Sequence, residues 1–310
     1  MRDAFIRALT ELADVDPSVI LVNGDLGFGV LNDFILNRPN QYINAGVAEQ
    51  NMTAVACGLA LEGAKAYTYS IGNFTTLRCL EQLRNDVCYH EANVTAVAVG
   101  GGFSYGQLGM SHFATEDLAI MRALPNMTVV APCDPWQAYE LTKQLYERRG
   151  PAYLRLDKGH AGTSPNDGQT ILGKIRIVRQ GRDLVMFATG AILGEALAAA
   201  EKLAQAGIEA TVVDVHTIKP FDSKGVAQLV NAHAYVLTIE EHTVVGGLGA
   251  AVAEASLEHG AQVTAFARIG LKDIFPSVVG DQVYLRNAYD MDANAIVEAG
   301  QRILSSKEVL

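Results

Sequence analysis

The sequence between residues 44 and 63 is NAGVAEQNMTAVACGLALEG. Small residues dominate this stretch, and one carboxylate, Glu49, lies near its start among Ala, Val, Met, Gly and Cys. We predict a helix over 45–62 that packs closely against its neighbours. Continuous apolar runs flank it at 18–24 and 65–71, and such runs are typical of strands buried on both faces. The stretch therefore predicts a parallel strand–helix–strand unit with a right-handed crossover.

The same alternation of strand and helix continues in both directions from this unit. Further strands are predicted at 93–100, 127–132, 151–156, 183–190, 209–215, 234–240 and 262–269, and further helices at 75–89 and 135–148. The pattern stops between 159 and 181, where the sequence is polar and rich in Gly, Ser, Pro and Asn. We therefore predict an α/β protein with one domain at 1–160, a linker at 161–181 and a second domain at 182–310.

The amino-acid composition argues against nucleic acids and membranes as binding partners. The chain has 310 residues, which suits two domains, and 24 Lys and Arg against 34 Asp and Glu give a formal net charge of −10. The basic surface that nucleic acids and anionic membranes need is not predicted. No stretch approaches the roughly 20 apolar residues of a membrane span. The four cysteines show no zinc spacing, and the N-terminus lacks a signal-peptide pattern, so a cytoplasmic location with buried free thiols is expected.

Glu49 has two interpretations from the residues alone. A carboxyl group buried without a partner is costly to ionise and tends to keep its proton. It can then donate a hydrogen bond to a ring nitrogen of a bound heterocycle. Alternatively, Glu49 is partly exposed and interacts with the dipole at the N-terminus of its helix.

Four other features also have a structural and a functional interpretation. Arg155 ends a predicted strand, where ligands of parallel sheets bind, and either holds a phosphate or pairs with Asp157. Arg2 is a second phosphate candidate or a solvated terminal charge. His112 lies in a predicted loop and either donates to developing negative charge or is an ordinary polar residue. The glycines at 246–249 match no dinucleotide fingerprint, so a tight turn is favoured over a phosphate site.

Several motifs, taken in their order along the chain, resemble those of the transketolase family. The stretch GVAEQNM resembles the family's GxxEQ signature, RCLEQLRN its RAxEQxRN helix, and SHFATEDL its histidine-containing loop. Further similar segments in the second half are HTIKP and the EEH and GGLG stretches. These segments lie at 46–52, 78–85, 111–118, 216–220 and 240–249. The resemblance covers nearly the whole chain.

The resemblance implies a pyrimidine-binding parallel-sheet domain followed by a Rossmann-like C-terminal domain. The cofactor implied is thiamine diphosphate with Mg²⁺. Glu49 is implied to be the acid that activates the cofactor, and His112 the histidine that contacts the substrate. The implied cofactor contacts are Glu49, Phe74, Ile71, Arg78, Asp25 and Leu26. The implied substrate contacts are Arg2 and Arg155 for a sugar phosphate, with Leu108 in the substrate pocket.

The sequence departs from the family's pattern in the substrate pocket and in the metal site. Leu108 stands where the family usually has an acidic residue that reads a sugar hydroxyl, so a different donor is expected. Asn23-Gly24-Asp25 does not match the family's Gly-Asp-Gly segment for Mg²⁺ and diphosphate, and no metal ligand is assigned to this chain. A separate N-terminal-half transketolase subunit is expected to supply that site, in an α2β2 heterotetramer.

The resulting prediction is the pyrimidine-binding subunit of a two-chain transketolase. It would transfer a two-carbon ketol unit from a ketose, expected to be phosphorylated, to an aldehyde acceptor, and only with its partner. One alternative is the β subunit of a 2-oxoacid dehydrogenase or a deoxyxylulose-phosphate-synthase-like enzyme. Arg2 and Arg155 favour a phosphosugar over that alternative. A second alternative is a non-catalytic regulatory subunit, against which Glu49 and His112 argue.

Overall fold

Two β-sheets organise the chain, which a computed structural model describes over residues 1–305. Residues 306–310 of the predicted second domain lie outside this range. The described strands are β1 (Val19–Asn23), β2 (Tyr42–Asn44), β3 (Lys65–Ile71), β4 (Val94–Val99), β5 (Thr128–Val130), β6 (Ala152–Leu156), β7 (Arg176–Arg179), β8 (Leu184–Thr189), β9 (Ala210–Asp214), β10 (Thr217–Lys219), β11 (Tyr235–Thr243) and β12 (Ala265–Leu271).

The first sheet has the strand order β10-β5-β6-β4-β3-β1-β2, and the second has β12-β11-β8-β9-β7. All neighbouring pairs are parallel except β10 with β5 and β7 with β9. The central strands β4, β6 and β8 are buried along their whole length, as continuous apolar runs predict. The predicted two-domain α/β fold with mostly parallel sheets is confirmed.

Helices cover the faces of both sheets. They are α1 (Arg2–Val15), α2 (Asn32–Asn37), α3 (Glu49–Leu61), α4 (Gly72–Thr76), α5 (Leu80–Gln82), α6 (Asp117–Ala123), α7 (Pro135–Glu147), α8 (Leu193–Gln205), α9 (Ser223–His233), α10 (Leu248–Glu258), α11 (Gln282–Ala288) and α12 (Ala293–Ser305). A π-helical segment, Leu83–Cys88, follows α5. Within the described residues, no helix is both long enough and apolar enough to cross a bilayer.

The structure differs from the predicted elements at three kinds of place. The helix predicted over 45–62 begins only at Glu49. The single helix predicted over 75–89 is wrong: it is broken at Cys79, whose backbone has φ −105° and ψ 13°. Three strands were not predicted, namely β2, β7 and β10. Each lies at a sheet edge and has only three or four residues, so its hydrophobic pattern is short.

The two sheets are connected by more than the polar segment between them. Strand β10 follows β9 of the second sheet in sequence but pairs with β5 at the edge of the first sheet. Strand β7 lies inside the segment predicted as a linker, 161–181, and pairs with β9.

All four cysteines are buried and form no disulfide bond, as expected. The carboxyl ends of β1, β3, β4 and β6 meet at one edge of the first sheet, which is where parallel sheets bind ligands.

Candidate functional site

Glu49 is the first residue of α3 and points into the protein, with 2% of its surface exposed. It packs against the turn after β1, because a Cβ placed on Gly24 would lie 3.5 Å from Glu49 Cγ. Its backbone carbonyl accepts a hydrogen bond from Thr53 Oγ1 at 2.9 Å. The burial inferred from its small neighbours is therefore confirmed, and the partly exposed alternative is wrong.

Glu49 is not, however, without a partner. Arg78 Nη1 lies 2.7 Å from Glu49 Oε2, and the Arg78 side chain is 45% exposed. Arg78 immediately precedes the break at Cys79, and its side chain reaches the first residue of α3. Its guanidinium carbon also lies 4.2 Å from the centroid of the Phe74 ring. The expectation of an unpaired buried carboxyl is therefore wrong, because an arginine at the mouth of the pocket compensates its charge.

A row of aromatic rings runs from this ion pair across the edge of the sheet. The Phe74 and His112 rings are 5.1 Å apart between centroids, and His112 and Tyr105 are 6.2 Å apart. Ser111 Oγ lies 3.0 Å from His112 Nδ1. Lys158 Nζ lies 3.5 Å from the centroid of the Tyr105 ring. The predicted site residues Glu49, Arg78, Phe74 and His112 thus lie next to one another.

The other predicted cofactor contacts flank the Glu49 pocket. Ile71 ends β3 and immediately precedes α4, which carries Phe74. Asp25 and Leu26 follow Gly24 in the turn beside Glu49. Asp25 Oδ1 accepts a hydrogen bond from Asn44 at 2.8 Å, and the Leu26 carbonyl accepts one from Asn23 at 2.8 Å. These bonds tie the turn after β1 to the ends of β1 and β2.

A cavity of about 310 Å³ lies beyond Tyr105 and is lined by charged groups of both signs, including the ion pair between Arg2 Nε and Asp3 Oδ1 at 2.9 Å. Arg2, Lys158 and the amino group of Met1 line it together with Asp3 and Asp157. Burial, and then the charge of Arg2, lower the pKa of Lys158. Burial likewise lowers the pKa of the Met1 amino group. Lys158 is the functional candidate that the sequence reasoning missed, although it lies two residues beyond the carboxyl end of β6, where ligands are expected.

A second cavity, of about 390 Å³, shares Tyr105 and Lys158 with the first. One wall comes from residues 104–108 and includes Leu108, which is 55% exposed. The other wall comes from the second domain. It consists of Gly280, Asp281 and Gln282. The predicted substrate-pocket residue Leu108 therefore lies in a cleft that both domains form.

Arg155 does not line either cavity. It is 1% exposed, and its Nε lies 3.1 Å from Asp117 Oδ2. Its Nη2 donates to the backbone carbonyl of Glu241 at 2.8 Å, which ties the first sheet to the second domain. The predicted phosphate contact of Arg155 is therefore contradicted by its burial, and the expected ion-pair partner Asp157 is replaced by Asp117. Tyr153 also donates to Asp117, at 2.6 Å.

Two glycine segments have structural explanations. A Cβ on Gly101 would lie 2.1 Å from Arg155 Nε, and one on Gly100, whose φ is +88°, would lie 2.2 Å from the Tyr105 ring. The glycines therefore make room for a buried arginine and for the aromatic row. At 246–249, the Leu248 and Gly249 amides donate to Glu240 at 2.7 and 2.9 Å. An internal carboxylate already occupies that helix N-terminus, as the preference for a tight turn implied.

The side chains around Glu49 are of the types that could hold the pyrimidine half of thiamine diphosphate, the cofactor that the resemblance implies. The buried Glu49 carboxyl and the half-buried Phe74 ring both contact the Arg78 guanidinium, and this pair could give an aminopyrimidine a hydrogen bond and a stacking contact. The Ser70 hydroxyl beside Gly24 is buried and makes no hydrogen bond within residues 1–305. Over the same residues, no group of three or more His, Cys, Asp or Glu side chains is placed to hold a metal ion.

Known proteins match both halves of the chain. Residues 1–163 match the family "Transketolase, pyrimidine binding domain", and residues 173–296 match "Transketolase, C-terminal domain". One of the subunits of the apulose-4-phosphate transketolase of Actinobacillus succinogenes is 34% identical over 96% of this chain and 95% of its own length. The 6-deoxy-6-sulfo-D-fructose transketolase subunit SqwH of Clostridium sp. (strain MSTE9) is 36% identical over 99% and 95%.

A solved structure from the same family also resembles the chain. It is described as a split gene transketolase, an inactive beta4 tetramer, and it superposes with a TM-score of 0.87 at 34% identity. The superposition covers 98% of this chain and 97% of that one. The chain therefore belongs to the transketolase family and consists of its pyrimidine-binding domain followed by its C-terminal domain.

Proposed function

We propose that the chain is the pyrimidine-binding subunit of a two-chain transketolase that moves a two-carbon ketol unit from a ketose to an aldehyde. The observation that carries this proposal is the buried carboxyl of Glu49 at the start of an aromatic row that ends in the cavity lined by Arg2 and Lys158. When bound, thiamine diphosphate supplies the carbanion that this transfer needs. The relatives that match over nearly their full length are transketolase subunits, which favours this chemistry over the 2-oxoacid dehydrogenase and deoxyxylulose-phosphate-synthase alternatives.

Each residue of the row has a proposed task. Glu49 shares a proton with a ring nitrogen of the cofactor, and Phe74, Ile71 and the turn at Asp25 and Leu26 hold the pyrimidine. His112 donates a hydrogen bond to the substrate oxygen on which negative charge develops. Because Ser111 Oγ lies 3.0 Å from His112 Nδ1, it fixes the orientation of the ring. Arg2 and Lys158 bind the anionic end of the substrate.

The diphosphate and Mg²⁺ are proposed to be held mainly by a partner subunit with the family's N-terminal half, in an α2β2 assembly. Phe28, Val47 and Leu77 support an interface, since they lie on the segments that carry the site and are 87%, 74% and 42% exposed. We therefore expect the isolated chain to bind thiamine diphosphate weakly, and the complex to bind it tightly, in calorimetric titrations with excess Mg²⁺. Tight, magnesium-dependent binding to this chain alone would contradict the shared site.

The anionic end of the substrate is the part that Lys158 is expected to recognise. The two relatives named above are called transketolases for a phosphorylated and a sulfonated sugar, and both groups are anions that a lysine can bind. Lys158→Gln should raise KM for an aldose phosphate by about ten- to a hundredfold, since a charge-assisted hydrogen bond is lost. KM for the same aldose without phosphate should stay unchanged. The matched control is Lys202→Gln. Lys202 is exposed, and its side chain donates a hydrogen bond to Asn294 outside both cavities. Equal effects on both substrates would remove Lys158 from the substrate site.

The cleft around Leu108 is expected to set selectivity for substrate hydroxyls. Asp281 of the second domain lines the same cavity as Leu108 and offers the carboxylate that position 108 lacks. Its Oδ1 also accepts from the Tyr284 amide at 2.8 Å, so Asp281→Asn keeps this helix cap while removing the charge. We expect Asp281→Asn to change the ratio of kcat/KM between sugar phosphates that differ at one hydroxyl.

The control for Asp281→Asn is the same change at another helix cap. Asp292 accepts from the Ala295 amide at 3.0 Å and lies outside the cleft. Asp292→Asn should leave the kcat/KM ratio unchanged, as should any purely structural effect. If Asp281→Asn changes the melting temperature and leaves the kcat/KM ratio unchanged, Asp281 only caps its helix and does not set selectivity.

A further inference from the structure

Arg78 occupies the position in which the proposed function requires the pyrimidine ring. Its guanidinium contacts Glu49 Oε2 at 2.7 Å and lies over the Phe74 ring, with the guanidinium carbon 4.2 Å from the ring centroid. These are the two contacts that an aminopyrimidine would make, one with the carboxyl and one with the aromatic face. A planar N–C–N group satisfies both, whether it belongs to an arginine or to the heterocycle.

The Glu49 carboxyl has a charge-compensating partner before the cofactor binds. Arg78 is the charged group in contact with Glu49, and a buried carboxyl with such a partner is stabilised as the carboxylate. The Cys79 thiol is also near, but burial raises its pKa to about 11, so it stays neutral at ordinary pH. The Ser70 hydroxyl and the Met52 side chain line the Gly24 side of the pocket and carry no charge. Asp25, next along that turn, is bonded to Asn44.

The complex with the cofactor needs a different charge state. A carboxylate and an unprotonated ring nitrogen both only accept hydrogen bonds, so one proton has to lie between them. The free aminopyrimidine is a weak base and does not bring that proton at pH 8. The proton therefore comes from solvent, while Arg78 keeps its own charge and moves away.

We infer that Arg78 is a resident cation that holds the Glu49 pocket closed, and that the cofactor enters by displacing Arg78 and taking up one proton. The inference rests on the proposed function. The exposed position of Arg78, with 45% of its side chain in contact with solvent, gives the displaced guanidinium a hydrated place to go. Because the bound state holds one more proton, cofactor affinity should fall as the pH rises.

The test is a calorimetric proton count on the assembled two-subunit protein. Thiamine diphosphate is titrated in excess Mg²⁺ at pH 8 in phosphate and in Tris, whose heats of ionisation differ. The Glu49→Gln variant supplies the baseline for protons that the diphosphate itself gains or loses. We expect wild type to take up about one proton more than this baseline.

Arg78→Met is the deciding variant. Without the cation, buried Glu49 should already hold its proton before binding, so the extra uptake should be lost and the affinity should become independent of pH. Arg78→Lys keeps a cation and should keep the uptake. Arg84→Met, on the π-helical segment, changes an exposed arginine that bonds Asn85 and should behave as wild type. Melting curves verify that each variant is folded.

The possible failures are distinguishable. If Arg78→Met takes up the same proton as wild type, with Glu49→Gln at baseline, the resident-cation role is wrong and the proposed function stands. If wild type does not exceed the Glu49→Gln baseline, the proton role of Glu49 fails and the inference fails with it. If no assembled preparation binds the cofactor, both the proposed function and the inference are overturned.

Discussion

Replacing Glu49 with Gln should lower kcat of the assembled enzyme by about 10²- to 10⁴-fold, the usual contribution of a positioned acid or base. The amide keeps the volume of the side chain, and its oxygen can still accept a hydrogen bond from Arg78, so the pocket should stay packed. It cannot share or relay a proton with a ring nitrogen. The loss should therefore appear in kcat, measured by two-carbon transfer between a ketose donor and an aldehyde.

The matched control is Glu62→Gln, since Glu62 is exposed and follows the C-terminal end of the same helix. That variant should have wild-type kcat and a nearly unchanged melting temperature. A Glu49→Gln enzyme with more than a third of wild-type kcat would show that the buried carboxyl has no proton role. A Glu49→Gln protein that fails to assemble would instead be detected by gel filtration, and Glu49→Asp would then be measured in its place.

Replacing Arg155 with Met should destabilise the protein by about 3–5 kcal/mol, because it removes the arginine of a buried ion pair with Asp117. Arg155 also donates to the Glu241 carbonyl, so the contact between the first sheet and the second domain is weakened as well. Denaturant unfolding should record the loss. The ratio of KM values for phosphorylated and unphosphorylated substrates should stay the same, since the guanidinium reaches neither cavity.

Two further variants test whether the loss of stability comes from the broken ion pair between Arg155 and Asp117. Adding Asp117→Asn to Arg155→Met should recover part of the lost stability, because the uncompensated charge is removed while Tyr153 keeps an acceptor. Arg182→Met breaks an exposed ion pair with Asp183 and should change stability by no more than about 1 kcal/mol. A large rise in KM for the phosphorylated substrate alone in Arg155→Met would restore Arg155 to the substrate site.

The fold was largely predictable because its central strands are marked by continuous apolar runs. The run predicted at 65–71 is strand β3, Lys65–Ile71, and the run at 183–190 contains β8, Leu184–Thr189. Three edge strands, β2, β7 and β10, escaped prediction because each has only three or four residues and mixed burial, whereas the longer edge strand β12 was predicted. The break at Cys79 also escaped, since nothing in the helical pattern of 75–89 marks it.

The site was predictable where motifs are local in sequence and not where partners come from distant segments. The motif residues Glu49, Phe74 and His112 are brought together as expected. The assignment of Arg155 failed because Asp117, its partner, lies on another element, and the sequence does not state which side of the sheet edge each residue faces. Lys158, beyond the end of the same strand, is the residue that lines the cavities.

The most direct test of the account is exchange of the thiazolium C2 proton of thiamine diphosphate with deuterium, followed by NMR in rapid-quench samples. The account predicts that this chain and the diphosphate-binding subunit each leave the exchange near its rate in solution, whereas the complex accelerates it strongly. Glu49→Gln in the complex should abolish the acceleration. Acceleration by the partner subunit alone, or undiminished acceleration with Glu49→Gln, would contradict the central claim that this chain provides the activating carboxyl group.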